Sequence, residues 1–267
     1  MSTATAPGAL ARPALLAAMD RNMAAMNRLD ARVTAGGFVH EHDGLVCLGH
    51  PHGTVLTNMA IVTGPLAAVA LRAHAAAAFA PAALPWSAWT RAHADAALEQ
   101  ALPEAGFFPL AEVPGMALVG AGAEPATPKD VVVRAVADAR DVTAYRRVML
   151  DAWSVYGVPA QSTAARFASL AGLAGAAAQA FLAWRGGEAV AGAVLYPADG
   201  LAGVGWVGTV GDAQGRGYGA AVTWAVVAEG RRRGLAAASL QASPMGEPVY
   251  RRMGFETPTY YRVWLPG

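Results

Sequence analysis

Cysteine and lysine are nearly absent from this sequence: Cys47 and Lys129 are the only ones. One cysteine excludes an intrachain disulfide and a multi-cysteine zinc site, and a small core residue is its simplest role. The lone lysine stands among abundant alanine, glycine and arginine, a compositional bias without functional weight. Charge is scarce and balanced. Charged residues make up 15% of the chain, with 20 Lys and Arg against 19 Asp and Glu, so the global balance gives no footprint for nucleic acid. Long apolar runs are also missing. Hydrophobic residues reach 55%, but alanine carries most of that figure, and no uninterrupted stretch of about 18 apolar residues occurs. Val69 to Ala83 contains Arg72 and His74, and Ala171 to Trp184 is broken by Gln179. Both read as buried or half-buried helices, and no membrane association is expected. Met1 to Arg12 lacks the basic start and apolar middle of a signal peptide, which predicts a frayed tail over residues 1–13 and a cytoplasmic protein.

A chain of 267 residues suits one large domain or two of ordinary size. Leu16, Met19, Met23, Met26 and Leu29 recur at helical spacing, a helix docked on a core rather than a promiscuous methionine surface. Asp43-Gly44 between two apolar runs predicts a hairpin. Helices are expected over about 65–79 and 86–102, and a strand over 113–119. Gly120 to Pro128 is a linker by composition and the best boundary in the chain. Beyond it the pattern predicts a strand at 131–133, a helix from an Asp141 N-cap to about Val155, and a second helix over 163–174. Strands at 181–184, 189–195 and 203–210, a helix over 217–233, a strand at 236–241, a short helix around Tyr250 and a strand at 260–265 complete the series. The halves share an echo: Gly106-Phe107 and Gly254-Phe255 each lead into a terminal strand with a large residue, Met116 or Trp264, nine positions after the Phe. This predicts a duplicated unit whose first copy has drifted.

The informative stretch is Gln214-Gly215-Arg216-Gly217-Tyr218-Gly219-Ala220, which follows a strand and opens a helix. Glycine leaves backbone N–H groups uncovered, and a helix N-terminus adds positive potential, so a pyrophosphate can sit on it. A dinucleotide Rossmann fingerprint fits poorly, because there is one strand–helix unit of this type and no suitably placed acidic residue after it. About one helix and one strand later comes Val249-Tyr250-Arg251-Arg252-Met253-Gly254-Phe255.

With these two motifs in this order, residues 130–267 resemble the GNAT superfamily of N-acetyltransferases. Gln214, Gly217 and Gly219 match its loop pattern Gln/Arg-x-x-Gly-x-Gly/Ala, and Tyr250, Gly254 and Phe255 match Tyr-x-x-x-Gly-Phe. The resemblance implies an α/β (α+β) fold with a GNAT-like mixed sheet flanked by helices. It also implies two tandem GNAT-like domains: 14–119 degenerate, 120–129 a linker, and 130–267 catalytic and acyl-CoA-binding. It further implies acetyl-CoA as co-substrate, a small-molecule or peptide amine as acceptor, and no metal. Val207, Gly208 and Thr209 would bond the pantetheine arm through their backbone, and Gly215 to Ala220 would hold the pyrophosphate. Ser243 takes the place of an asparagine that contacts the cofactor in many relatives. Tyr250 would protonate the departing thiolate, since a phenol is protonated at neutral pH. The alternative is a non-catalytic acyl-CoA-binding or interaction protein that keeps the fold.

Many relatives carry a Glu on strand four or five to deprotonate the amine. Neither Gly203 to Val210 nor Ala236 to Gln241 holds a carboxylate or histidine. That leaves a water chain or a residue in the 151–161 region as the base. Trp153 and Tyr156 either line the acceptor cleft or pack in the core. Arg231 to Arg233 either reach a CoA phosphate or simply complement a helix C-terminus capped by Gly234, the simpler reading. His40, His42, His50 and His52 look like two His-x-His pairs, but the hairpin register puts His50 roughly 10 Å beyond the Cys47 position, so the four do not converge on a metal. The first half has Thr63-Gly64-Pro65 where a glycine loop would stand, and Leu102 where Tyr250 would stand. It is expected to bind no CoA, and instead to support the second half and wall its acceptor cleft.

Overall fold

A computed structural model describes residues 10–267; most of the tail read over residues 1–13 lies outside them. The expected hairpin forms around Gly44, whose φ of 73° suits glycine. It joins β1 (Phe38–His42) to β2 (Leu45–Gly49), with His42 opposite Leu45 and His40 opposite Cys47. The other first-half elements are α1 (Arg12–Val33), β3 (Met59–Val62), α2 (Ala68–Phe79), β4 (Ser87–Arg91), α3 (Ala96–Ala101) and β5 (Phe107–Val119). The second half holds β6 (Val132–Ala135), α4 (Ala139–Ser154), α5 (Ala160–Arg166), β7 (Gln179–Arg185), β8 (Glu188–Ala198) and β9 (Leu201–Thr209). It continues with α6 (Tyr218–Arg232), β10 (Ala237–Gln241), α7 (Glu247–Arg252) and β11 (Glu256–Pro266).

The order β1-β2-β3-α2-β4-α3-β5 therefore recurs as β7-β8-β9-α6-β10-α7-β11. The glycines of the sequence echo do the same work in both copies. Gly106 and Gly254 follow the short helix at φ 79° and 91° and turn the chain into the last strand. The two copies form one sheet, ordered β1-β2-β3-β4-β11-β5-β10-β9-β8-β7-β6. Its centre is an exchange of terminal strands. β5 leaves its own half to pair antiparallel with β10, Met116 facing Leu240, and β11 pairs antiparallel with β4, Val263 facing Trp89. β5 and β11 pair with each other along most of their length.

α1 packs across this junction. Met23 joins a buried cluster with Val46, Leu48 and Tyr261, while Met19 packs with Ala117, Leu201 and Ala237. Between them Asn22, 2% exposed, donates to the carbonyls of Tyr196 (3.1 Å) and Ala198 (3.1 Å). Gly203 makes this approach possible, because a Cβ there would lie 2.3 Å from Asn22 Oδ1.

Four expectations are corrected. Ala171 to Trp184 is not a helix: from Gln179 it is the strand β7, paired with β6 and β8. Residues 86–102 are not one helix: Ser87, Ala88, Trp89 and Thr90 form a strand buried on both faces between β3 and β11, a setting that overrides the local pattern. Asp95 ends that strand by accepting both the Arg91 N–H and its guanidinium, and α3 follows. The helix expected over 163–174 spans only Ala160–Arg166. The N-cap of α4 is Asp138, which accepts the N–H groups of Arg140 and Asp141. Asp141 instead forms a two-pronged pair with Arg134, which holds its carboxyl below the usual carboxylate range.

Because the sheet is continuous across the linker, the two halves should hold together without it. A protease site inserted in the 120–128 segment and cut should leave both fragments in one particle on gel filtration. Two peaks without denaturant would contradict the strand exchange.

Candidate active site

β9 and β10 are bonded side by side only at Leu201 to Gly203 against Ala237 to Ser239. Beyond that they part, because β10 follows β5 while β9 stays on β8. The gap widens into a cleft of about 640 Å³. One wall is the end of β9, where Val207, Gly208 and Thr209 line the opening. Gly208 is closely packed on its other side: a Cβ would meet Ala152 at 2.8 Å and Met149 at 2.9 Å, so glycine lets α4 lie against the strand.

The pairing of β8 with β9 slips here. Gly205 faces Val194 and Gly208 faces Gly192, so Trp206 and Val207 share the place opposite Ala193. This is a β-bulge, which leaves an extra residue unpaired and re-aims the backbone. Trp206 takes φ 49°, a conformation unusual for a bulky side chain. The Tyr145 hydroxyl donates to its carbonyl at 2.9 Å.

The start of α6 forms the floor. Gly215 and Gly217 have φ of 75° and 84°, and Gly217 is the N-cap without any side-chain hydrogen bond to the helix. The first-turn N–H groups, from Tyr218, Gly219 and Ala220, have no intrahelical acceptor. A Cβ on Gly215 would meet nothing within 4 Å, and one on Gly219 would sit 3.2 Å from Thr209 Oγ1. A bare, positively polarised cradle of this kind fits a pyrophosphate. Tyr218 contributes backbone only, since its ring is buried and its hydroxyl donates to Asp130. Gln214 lines the cleft and folds back to donate to the Thr209 carbonyl at 3.4 Å. Arg216 is exposed and is not among the lining residues.

α7 closes the far side with Tyr250, whose ring lies over Gly246. Burial pushes its phenol above the ordinary value of 10, and the nearby Tyr156 phenol adds to the rise. Thr223 Oγ1 opposes this slightly from α6, yet it finds no partner of hydrogen-bonding geometry. Ser243 borders the cleft, and its hydroxyl accepts the Gly246 N–H at 3.2 Å, a local turn that introduces α7.

Of the sequence-selected residues, all but Arg216 therefore gather around one cleft. Tyr156 lines it too, whereas the Trp153 ring packs on Trp206 at 4.7 Å. Asp151 is turned away, accepting the Gly211 N–H at 2.6 Å and so steadying the loop. Sequence reasoning missed the linker as a wall: Ala123, Glu124 and Pro125 line the cleft, and the Ala123 N–H donates to the Met253 carbonyl. Glu124 is the one carboxylate among the lining residues. The bulge was missed as well, its only trace being the glycines Gly205 and Gly208 around Trp206. Among the described residues no group of three or more His, Cys, Asp or Glu is placed to hold a metal ion. The histidines are used otherwise: His42 stacks on His74, and His50 is buried beside Ser162.

The corresponding segment of the first half is bonded differently. Its hairpin turn packs onto the segment before α2, so the Gly44 carbonyl already accepts the N–H groups of Thr63 and Gly64. Arg91 donates to the Thr63 carbonyl.

Residues 142–255 match the family model of the acetyltransferase (GNAT) family. No curated protein matches the chain in sequence. Among solved structures, the chain is similar to a GCN5-related N-acetyltransferase from Kribbella flavida, with 24% identity and a TM-score of 0.70 over 92% of this chain and 95% of that one. It is also similar to a GCN5-related N-acetyltransferase from Sphaerobacter thermophilus, with 18% identity and a TM-score of 0.59 over 98% of each chain. A tandem GNAT protein from the clavulanic acid biosynthesis pathway shares 16% identity at a TM-score of 0.60 over 96% of each chain. At these identities the structures establish the fold, including its duplication. No helix among the described residues is long and apolar enough to cross a membrane.

Gly217→Asp would place a Cβ and a negative charge against the α6 cradle. It should weaken CoA binding at least about tenfold, some 1.4 kcal/mol, by calorimetry. Unchanged affinity in a folded variant would remove the cradle from the site.

Proposed function

We propose that this chain, whose residues 142–255 match the GNAT acetyltransferase family model, is an acetyltransferase that moves an acetyl group from acetyl-CoA to a small-molecule or peptide amine. The observation that carries this reading is the opening between β9 and β10, with the uncapped α6 cradle on its floor and the buried Tyr250 phenol on its far side. The thioester supplies an activated acyl carbon: the amine nitrogen bonds to it as the carbon–sulfur bond breaks.

The protein's part is to hold, polarise and protonate. First-turn N–H groups of α6 neutralise the pyrophosphate, and backbone groups of Val207 to Thr209 align the pantetheine arm. An N–H of the bulge stabilises negative charge on the acyl oxygen, a task suited to a fixed dipole in a water-poor cleft. Tyr250 gives its proton to the sulfur. The raised pKa of its phenol keeps that proton in place through the neutral range. No carboxylate or histidine lies on the facing parts of β9 and β10, so the amine loses its proton through solvent or to Glu124.

The first half binds no CoA in this reading, because Thr63-Gly64-Pro65 stands in place of a glycine loop and the Thr63 and Gly64 N–H groups already bond the Gly44 carbonyl. Its role in this reading is to support the site from α1, which packs on β8 and β9; no residue of 14–119 lines the β9–β10 cleft, and the wall expected from the first half is supplied by the linker residues Ala123 to Pro125. The alternative, a binding protein without catalysis, is separated by mixing acetyl-CoA with a panel of amines. Free thiol should appear with at least one amine, and binding without thiol release would favour the alternative.

Tyr250→Phe should keep CoA affinity and lower turnover by roughly 10²-fold. The pH dependence follows from the sign of the shift. An acid with a raised pKa stays protonated to higher pH, so wild-type kcat should show no fall from loss of this proton below about pH 10. A fall centred near pH 8 that disappears in Tyr250→Phe would contradict the assignment.

A further inference from the structure

Resting on that reading, we propose that Asp30, on α1 of the first half, is a positioning residue for acyl transfer that acts through the Trp206 indole to hold the β9 bulge. Trp206 is the residue in the unfavourable backbone conformation, and Val207, next to it, lines the cleft. Such a conformation persists only where its surroundings over-determine it, and here four contacts do so. The indole N–H donates to Asp30 Oδ2 at 2.6 Å. The ring meets Phe167 edge-on at 5.1 Å and Trp153 at 4.7 Å, and the Tyr145 hydroxyl holds the carbonyl. Three of these contacts come from the second half. The bond from Asp30 is the one that crosses from the first.

Asp30 is itself fixed. It is 7% exposed, and its other oxygen accepts the buried Arg166 guanidinium, which also donates to the Tyr196 hydroxyl at 2.7 Å. Both carboxylate oxygens are thus committed, and the Trp206 bond has a fixed acceptor in a buried, charged junction. The chain of contact runs from α1 through the indole to the bulged peptide and on to the cleft wall. A donor displaced by about 1 Å from a developing charge loses much of its effect, so a bond that sets the bulge sets the strength of polarisation. A duplicated half without a cradle of its own thereby keeps a part in the chemistry.

The test reads the acyl carbonyl directly and needs no known acceptor. Acetyl-CoA labelled with carbon-13 at the carbonyl is bound to the full chain, and its infrared stretch is compared with that of the free compound. Wild type should show a shift to lower frequency. Trp206→Phe keeps an aromatic ring and the Asp30–Arg166 pair while removing the N–H donor together with part of the ring that meets Trp153 and Phe167, so Asp30→Asn, which leaves the indole intact but has one acceptor oxygen for two donors, is measured beside it. It should bind acetyl-CoA within about twofold of wild type, yet return the band toward its free position and lower kcat roughly 10-fold or more at similar KM. Asp30→Asn should act in the same direction, and combining it with Trp206→Phe should add little further loss, because both remove one link. Wild type that binds no acetyl-CoA, or binds it with an unshifted band, overturns the transfer reading and this proposal with it. A wild-type shift that Trp206→Phe fully retains overturns the role of Asp30 alone.

Discussion

The exchange of β5 and β11 is the constraint on which the rest of the molecule depends. The first half makes five strands and the second six, and each gives its last strand to the middle of the shared sheet. The cores record this: Met116 and Leu118 of β5 are buried with Val222 and Val226 of α6, while Trp264 of β11 is buried with Leu71 and Phe79 of the first half. Neither core is complete without the other half's strand, so the protein is one cooperative unit despite its internal repeat. α1 adds polar specificity at the same junction. Asn22 reaches backbone carbonyls of β8, and removing such a buried donor costs on the order of 1–3 kcal/mol.

The same exchange makes the cleft. β10 is committed to β5 along its whole length, and β9 to β8, so the two strands cannot stay together once the sheet twists. Opening a sheet exposes unpaired backbone, which is normally a cost. Here it becomes a row of donors and acceptors facing a ligand-sized space, next to the start of a helix whose own N–H groups are free. In the first half the equivalent strand β3 has only four residues, and the turn at Gly44 bonds Thr63 and Gly64 in the segment that leads to α2. The two repeats thus differ at this place with little change in topology.

Much of this was legible in the chain. The Asp43-Gly44 turn, the glycine loop ahead of α6 and the paired Gly-Phe steps depend on local backbone chemistry, which sequence reports directly. The gathering of Thr209, Gly217, Ser243 and Tyr250 around one space followed from family order more than from any local signal. What stayed hidden depended on distant partners. Residues 86–102 read as a helix because nothing nearby reveals that β11 will lie against Trp89. Asp141 reads as the cap on paper, and only the position of Arg134, which takes its carboxylate, leaves that place to Asp138. The bulge at Trp206 needs Tyr145, Asp30 and Phe167 to hold it, and these lie 61, 176 and 39 positions away along the chain.

The central place of β11 has a bearing on how the chain comes to be folded during synthesis. β4 leaves the ribosome long before the strand that will lie beside it, for Arg91 is matched with Tyr261. Until then β4 and β5 have a strand-wide gap between them, and two apolar edges wait with their hydrogen bonds unmade. Closing so long a loop is slow, and open edges of this kind invite pairing with other chains. The first half is therefore an unfinished sheet while the second is made, and β11, made well after its neighbours, seals the middle of the molecule rather than its rim.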